Sequence, residues 1–226
     1  MKISYVIPVY NSAAWIAPTI ESLLKQSYND YEIIVVDDAS TDGISFIKHF
    51  YEDRVVWTTK VKRFGAAWCR NDGNAIASGD IIAVCDAGDI YKVNRGELID
   101  KFFEENKDKD IVYTDVHVCD CSGVVIGTQQ ASEWDGKSKP PISHPTVAYR
   151  KKVVREVKYN EDSLDTDFYE FFFIDAWKKG FKFGFINIPT CSKLDLTSSE
   201  HSRDVEKSIK EKLVKYKEYG IEIEVA

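Results

Sequence analysis

Long apolar runs and targeting signals are absent from this 226-residue sequence. No stretch approaches the ~20 apolar residues that a membrane-spanning helix requires. The opening residues, MKISYVIPVY, contain only a short apolar run, and polar residues follow it at once, so we expect no signal peptide. These absences predict a cytoplasmic chain without a transmembrane segment, for which any contact with a membrane is transient or made through a partner.

Patterns for disulfides and structural zinc are also missing. The five cysteines are an odd number without an export signal, which predicts reduced thiols. Cys119 and Cys121 form CxC rather than CxxC, and no second pair completes a zinc site. None of the four histidines has HxH, HxxH or HExxH spacing, and only His144, in the loop sequence SHP, stands out among them. We therefore expect no structural metal.

Three common nucleotide and nucleophile motifs do not occur. No GxGxxG follows the first apolar run, no GxxxxGK[ST] exists, and no GxSxG is present. The sequence therefore lacks the main motif of dinucleotide-binding proteins, of P-loop proteins and of α/β-hydrolases. The net charge is −7, which argues against non-specific nucleic-acid binding because that requires clustered Lys and Arg. A nucleic-acid partner is not expected.

What is present indicates one α/β domain. Apolar residues make up 44% and charged residues 30%, the balance of a folded globular chain. Short β-branched runs alternate with segments of helical periodicity up to about residue 117, which predicts a mainly parallel sheet with helices on both faces. Turn signals then dominate residues 119–145. We divide this single domain into a regular half (1–95), a looser half (96–200) and a C-terminal helix and tail (201–226).

Polar side chains follow three of the predicted strands. The first strand ends in Tyr10, the second in Asp37 and Asp38, and the fourth in Asp86, with Asp89 three residues later. Ligands of open parallel sheets bind outside the carboxyl ends of the strands, so these groups are expected along one rim. Carboxylates there can accept hydrogen bonds from a base or ribose, or hold Mg²⁺ or Mn²⁺ against a diphosphate.

Each of these acids also has a purely structural interpretation. An aspartate after a strand is commonly a turn former or a helix cap. For Asp42 we favour that interpretation and expect it to cap the helix that follows it.

Four segments occur in order over residues 3–91, and they read SYVIPVYN, EIIVVDDASTDG, GAAWCRNDGNAIASGD and IIAVCDAGD. Together these segments resemble the inverting family-2 glycosyltransferases. Beyond residue 140, PTVAYRKKVV and SLDTDFYEFFFIDAWKKGFKFGFI resemble the acceptor-side segments of the same family. The resemblance implies an α/β GT-A (Rossmann-like) single domain. In it, residues 1–95 bind a nucleotide-diphosphate sugar and residues 96–200 carry the acceptor and catalytic side.

The resemblance assigns donor-binding roles to several residues. It implies that Val9 and Tyr10 line the nucleoside pocket and that Asp38 accepts a hydrogen bond from the base, whereas Asp37 is structural. Arg70 lies in the family's ARN stretch, and it either approaches the nucleotide diphosphate or anchors its helix. UDP is the default nucleotide that the resemblance implies, with GDP and dTDP left open.

The sequence Asp86-Ala87-Gly88-Asp89 occupies the place of the family's DxDD motif. Gly88 replaces the middle aspartate, a common metal ligand. From the resemblance we expect Asp86 to bind the donor, and Asp86 with Asp89 to hold Mn²⁺ or Mg²⁺. The alternative is weak metal binding, with Lys or Arg side chains offsetting the diphosphate charge.

Asp167 matches the family's general-base position, although Thr166 precedes it where an acidic residue is usual. A base there deprotonates the acceptor hydroxyl, and inversion needs no enzyme nucleophile. Asp167 could instead cap the following helix, or do both, and Asp162 and Asp165 are the fallback candidates. We also expect Trp134, in the loop SEWDG, to contact the acceptor.

These expectations combine into a sugar transferase for surface-glycan or other polysaccharide biosynthesis. Its partners would be a nucleotide-diphosphate sugar and a saccharide, lipid-linked or protein acceptor. Two alternatives stay open. Gly88 and Thr166 favour a non-catalytic nucleotide-sugar-binding or partner-binding module on the same scaffold. A nucleotidyltransferase also uses carboxylate-held magnesium, but PVYNSAAW lacks its Gly-rich basic loop.

Overall fold

The computed structural model describes residues 1–120, 122–162, 169–194, 214 and 216–219. Across those residues the chain forms one nine-stranded sheet. The strands are β1 (Ile3–Val9), β2 (Tyr31–Asp37), β3 (Val56–Thr59), β4 (Ile81–Val84), β5 (Ile90–Tyr91), β6 (Ile111–Cys119), β7 (Val125–Gln129), β8 (Ala148–Arg150) and β9 (Phe183–Leu194).

Helices connect and cover these strands. They are α1 (Ala13–Leu24), α2 (Ile44–Tyr51), α3 (Ala66–Ile76), α4 (Arg95–Glu105), α5 (Val153–Glu156) and α6 (Tyr169–Lys178), and a short 3₁₀ turn spans His144–Thr146. A Cβ atom at Gly73 would lie 2.3 Å from Val6 Cγ1, so a glycine there lets α3 pack closely on β1. Within the described residues, no helix has the length and apolar character to cross a bilayer.

The sheet order is β3–β2–β1–β4–β8–β6–β9–β5, with β7 paired to β6. The first four strands of this order are parallel to one another. β8 runs antiparallel to both β4 and β6, and β9 runs parallel to β6. The expected mainly parallel sheet is therefore confirmed, and the reversed strand β8 marks the junction between the regular and the looser half.

Both faces of the sheet are covered by an apolar core. On one face, Val6 shares a buried cluster with Ala67 of α3 and Phe172 of α6. On the other face, Ile7 packs in a cluster that includes Ile20 of α1 and Phe103 of α4. This alternation follows from the period of two along a strand, since successive side chains point to opposite faces.

The predicted and observed elements differ mainly in the second half. The apolar runs at residues 111–116 and 183–188 belong to strands that extend to Cys119 and Leu194, and β7 lies within residues 119–145, where turn signals predicted only loops. Of the expected C-terminal helix and tail (201–226), the structure describes residues 214 and 216–219, and residues 214 and 216–218 are helical.

Asp42 caps a different helix from the one expected. Its Oδ2 accepts a hydrogen bond of 2.7 Å from the backbone N–H of Ala13, in the first turn of α1. Gly43, at φ +85°, occupies the position before α2 instead. The cap prediction was right in kind and wrong in partner, because sequence proximity favours the nearest helix whereas the parallel sheet brings the starts of α1 and α2 together.

Candidate functional site

The register of the sheet brings the carboxyl ends of β1, β2 and β4 to one rim. Val9 is paired with Asp37, and the N–H of Asp38 donates to the carbonyl of Val9 at 2.8 Å. On the other side of β1, the N–H of Cys85 donates to the carbonyl of Val6 at 3.0 Å. Asp86, the next residue, therefore lies at the carboxyl end of β4, on the same rim. The expected gathering of polar groups at one edge is thus present in the fold.

Asp38 ties this rim to the start of α3. Its two carboxylate oxygens accept hydrogen bonds from the backbone N–H groups of Phe64 and Gly65, each at 2.7 Å. The residue is only 3% exposed. Backbone N–H groups at the start of a helix lack helical partners, and a carboxylate is the acceptor that stabilises them best. Sequence reasoning missed this role because the partners are 26 and 27 residues away.

A surface of cations and aromatic rings lies beside Asp38. The Arg63 guanidinium carbon is 4.3 Å from the centre of the Tyr10 ring, and Lys60 Nζ is 5.2 Å from the centre of the Phe64 ring. Aromatic faces suit a nucleobase, and cations suit phosphate. The interleaved pattern KVKRF at residues 60–64 was the signal that could have found this surface.

Val9 and Asp37 have mainly structural contacts. The Val9 side chain is buried in the apolar core on the α1 face, so the rim receives its backbone rather than its side chain. Asp37 Oδ1 accepts from the N–H of Ser40 at 3.0 Å, which forms the turn after β2. The turn agrees with the structural role expected for Asp37.

Asp86 is the more accessible carboxylate of the rim, with 31% of its side chain exposed. Its Oδ1 accepts a hydrogen bond of 2.9 Å from Arg70 Nη2. Its Oδ2 lies 3.9 Å from Nδ1 of His144. Arg70 therefore anchors α3 to the end of β4, and it does so through the same carboxylate that the resemblance assigns to donor binding.

His144 connects this carboxylate to the looser half. Its Nε2 lies 3.1 Å from the Tyr159 hydroxyl, and its ring stacks on Tyr169 with centroids 4.5 Å apart. Asn71 joins the same region to α3, because its amide bonds the backbone N–H and carbonyl of Tyr159 at 3.0 and 2.9 Å. Sequence reasoning singled out His144 only as an unusual loop histidine.

Asp167, the expected catalytic base, lies outside the described residues, as do Thr166 and Asp165. Of the fallback candidates, Asp162 is described, and its backbone N–H donates to Asn160 Oδ1 at 2.9 Å. The segment containing Asp167 directly precedes Tyr169, the residue that stacks on His144.

Residues 86–89 form a tight loop around Gly88. Gly88 has φ +100°, a left-handed conformation in which aspartate is strained, so glycine has a structural reason to stand here. Asp89 is 8% exposed, and its Oδ2 lies 3.8 Å from the Cys191 thiol. Burial first, and then the neighbouring charge of Asp86, raise the pKa of the Asp89 carboxyl well above its ordinary value.

These placements bear on the divalent cation that the resemblance implies. The described part of the chain contains no cluster of three or more His, Cys, Asp or Glu side chains able to hold a metal. Asp86 fits a site of one carboxylate that substrate phosphates and water complete, a common arrangement for Mg²⁺. Asp89 is buried and contacts Cys191, and its role as a second ligand stays a prediction.

Trp134, which we expect to contact the acceptor, is buried but lines a pocket of about 500 Å³ together with Trp177 and Phe183. The residue is 3% exposed, and its indole N–H donates to the carbonyl of Ser138 at 2.9 Å. Its ring packs against Trp177 and Phe183, each at 5.3 Å between centroids. The loop thus packs its tryptophan against α6 and β9, and the acceptor contact stays a prediction.

Comparison with known sequences gives a consistent family. The model of the family described as glycosyl transferase family 2 matches residues 4–186. An uncharacterized glycosyltransferase from Rickettsia bellii is 35% identical over 168 residues, which cover 71% of this chain and 24% of that protein. The chain spans about a quarter to two thirds of the length of the curated relatives it matches.

Comparison with solved structures confirms the fold. Staphylococcus aureus TarS 1–349 in complex with UDP-GlcNAc superposes with a TM-score of 0.73 at 19% identity, covering 99% of this chain and 68% of that one. The mannosyltransferase PcManGT from Pyrobaculum calidifontis, in complex with GDP-Man and Mn²⁺, gives 0.72 at 18% identity, covering 99% and 65%. The GT-A fold that the sequence predicted is therefore present, and the match to residues 4–186 shows that this chain belongs to glycosyl transferase family 2.

Proposed function

We propose that this protein transfers a sugar from a nucleotide-diphosphate sugar to an acceptor hydroxyl, with inversion at the anomeric carbon. The observation that carries the proposal is the rim, where Tyr10, Asp38 and the Asp86–Arg70 pair meet at the ends of three parallel strands. Family membership supports the reaction class, and the rim supplies groups for each part of the donor.

The nucleoside is assigned to the Tyr10 and Asp38 end of the rim. A carboxylate has about four lone-pair positions, and the two backbone donors of Asp38 use two of them. We propose that a remaining position accepts a hydrogen bond from the base. Tyr10 offers its ring face, and Arg63 and Lys60 supply positive charge beside it.

The diphosphate is assigned to the Asp86 end. We propose that Asp86 holds Mn²⁺ or Mg²⁺ together with the donor phosphates, and that Arg70 fixes the orientation of this carboxylate. A bound cation would stabilise the negative charge on the departing nucleoside diphosphate. Asp89 is retained as a candidate second ligand, to be tested separately because of its burial.

Asp167 is proposed as the general base. It would take the proton from the acceptor hydroxyl while that oxygen attacks the anomeric carbon on the side opposite the leaving diphosphate. The C–O bond to the acceptor forms as the C–O bond to the diphosphate breaks, so no covalent enzyme intermediate is needed.

UDP is the nucleotide that we propose first. A structural neighbour is solved with UDP-GlcNAc, and another with GDP-Man, so GDP is the principal competitor. For the acceptor we propose a saccharide, lipid-linked or protein hydroxyl in surface-glycan synthesis. This assignment rests on the resemblance of residues 3–91 to family-2 enzymes.

A transfer assay tests the proposal. Wild type and Asp167→Asn are incubated with UDP-glucose, UDP-GlcNAc or GDP-mannose and with lipid-linked saccharides, and released nucleoside diphosphate is measured. We expect turnover with one donor, a fall of about 10²–10⁴-fold in Asp167→Asn, and unchanged nucleotide affinity. An Asp167→Asn variant that transfers at the wild-type rate contradicts the base assignment.

A second candidate function is the non-catalytic module on the same scaffold. The contact that favours it is the Arg70–Asp86 ion pair, which partly neutralises the carboxylate that a cation needs. Such a module binds the nucleotide without turnover. Nucleotide binding by wild type without release of nucleoside diphosphate from any donor would support this function.

A further inference from the structure

Three polar side chains form a stripe along one side of α1 and just beyond its end. They are Thr19, Ser22 and Gln26, which are three and four residues apart and therefore share a face of the helix. Thr19 is fully buried, and Gln26 is 7% exposed. Buried polar side chains on a helix need partners, and here the partners are backbone groups of another segment.

Thr19 binds the loop that follows Asp86. Its hydroxyl accepts a hydrogen bond of 3.0 Å from the N–H of Gly88 and donates one of 2.8 Å to the carbonyl of Asp89. The Thr19 side chain thus gives a hydrogen-bond partner both to the backbone N–H of Gly88 and to the backbone carbonyl of Asp89, at the left-handed turn of the loop. A second side chain, Tyr91, accepts the N–H of Asp86 at 2.8 Å on its hydroxyl.

Ser22 and Gln26 continue the same contact further from the rim. Ser22 Oγ accepts the N–H of Tyr91 at 3.1 Å. Gln26 donates through Nε2 to the carbonyl of Lys92 at 2.7 Å and accepts through Oε1 from the N–H of Gly96 at 2.9 Å. The stripe therefore holds five backbone groups of residues 88–96, a segment whose strand β5 is only two residues long.

We propose that Thr19 is a positioning residue that fixes the Asp86–Asp89 loop so that the Asp86 carboxylate meets the cation and diphosphate in one orientation. The inference rests on the proposed function of Asp86. Its physical basis is preorganisation: a loop held before binding loses less conformational freedom when the ligand arrives. Gln26 binds the same segment at Lys92 and Gly96, which lie further along the chain than the Asp86–Asp89 loop. We therefore expect Gln26 to contribute to stability without fixing the conformation of that loop.

Three variants separate positioning from stability. Thr19→Val keeps the shape and removes the hydroxyl, Thr19→Ser retains the hydroxyl, and Gln26→Met removes two hydrogen bonds of the same stripe. The probe is UDP with Mn²⁺ in isothermal titration, alongside thermal unfolding. We expect Thr19→Val to raise Kd about tenfold, Thr19→Ser to stay within about twofold of wild type, and Gln26→Met to lower Tm without changing Kd.

Amide hydrogen exchange gives a readout that needs no ligand. The Gly88 and Tyr91 amides should be protected in wild type and in Thr19→Ser, and Gly88 should lose protection selectively in Thr19→Val. If wild type binds no nucleotide, the proposed function fails, while amide exchange still tests whether Thr19 holds the Asp86–Asp89 loop. Equal Gly88 exchange in Thr19→Val and wild type, or an equal rise in Kd in Gln26→Met and Thr19→Val, would overturn the inference.

Discussion

Replacing Asp38 by asparagine should destabilise the protein before any nucleotide is added. In the native structure, both carboxylate oxygens of Asp38 accept backbone N–H groups, from Phe64 and Gly65, at 2.7 Å. Asparagine keeps one oxygen acceptor and directs an NH₂ group at the other N–H. The substitution therefore removes one charge-assisted hydrogen bond and makes the second one neutral.

The magnitude follows from the burial of the site. Hydrogen bonds to charged groups contribute about 1.5–3 kcal/mol, and a buried N–H left without an acceptor costs about 1–3 kcal/mol. Asp38 is 3% exposed, so water cannot substitute. We expect a loss of about 2–4 kcal/mol, which for a chain of this size lowers Tm by roughly 5–12 °C.

Asp120 provides a matched control. Its Oδ1 also accepts two backbone N–H groups, from Ser122 and Val124 at 2.9 and 3.0 Å, but in a solvent-exposed turn. Thermal unfolding of Asp38→Asn and Asp120→Asn should give a large and a small fall in Tm respectively. Equal Tm values for Asp38→Asn and wild type would refute the argument that Asp38 holds the start of α3.

Four further outcomes follow from the same contacts. Asp38→Ala should weaken UDP binding beyond what its stability loss explains, as measured by titration well below its Tm; unchanged affinity would remove Asp38 from the base-binding role. Asn71→Ala should lose about 1–3 kcal/mol in urea unfolding, because it leaves the backbone N–H and carbonyl of Tyr159 without their partner, and UDP affinity should be retained. Burial alone would raise the pKa of Glu32, but hydrogen bonds from Ser4 and Ser78 and the charge of Lys2 lower this pKa below its ordinary value of 4.5. The stability that wild type has over Glu32→Gln should therefore be present above about pH 4.5 and disappear as pH falls through the lower folded pKa, and a difference that is constant across acid pH would contradict this. Gly88→Asp should raise the free energy of the loop because φ is +100°, so a variant that restores the family's DxDD motif should lower Tm rather than improve metal affinity.

The regular half of the fold was readable because its central strands are buried on both faces. Runs such as Ile3–Val9 and residues 33–36 are mostly apolar and rich in β-branched side chains, and helical periodicity separates them clearly. The strand ends then locate Asp38 and Asp86 at one rim, as predicted. These features depend on local pattern and on the rule that parallel strands share an edge.

The rest depends on contacts that are distant in sequence. β8 has only three residues and follows the turn-rich stretch 119–145, so nothing in its own sequence indicates that it pairs with both β4 and β6. The sequence places Trp134 in a loop, and only the fold places Trp177 and Phe183 against it. The hydrogen bond between Asp38 and Phe64 likewise joins residues 26 positions apart, and the one between Thr19 and Asp89 joins residues 70 positions apart.

The central claim is a nucleotide-diphosphate donor site built around Asp86. It is tested most directly by thermal unfolding of wild type and Asp86→Asn with UDP, GDP, dTDP or CMP, each with and without Mn²⁺. At about 100 times its Kd, a bound nucleotide stabilises the native state by about 2.7 kcal/mol, or roughly 5–10 °C here. We predict that UDP gives this shift only with Mn²⁺ and that Asp86→Asn loses it. If no nucleotide shifts Tm of wild type, with or without Mn²⁺, the donor site is contradicted.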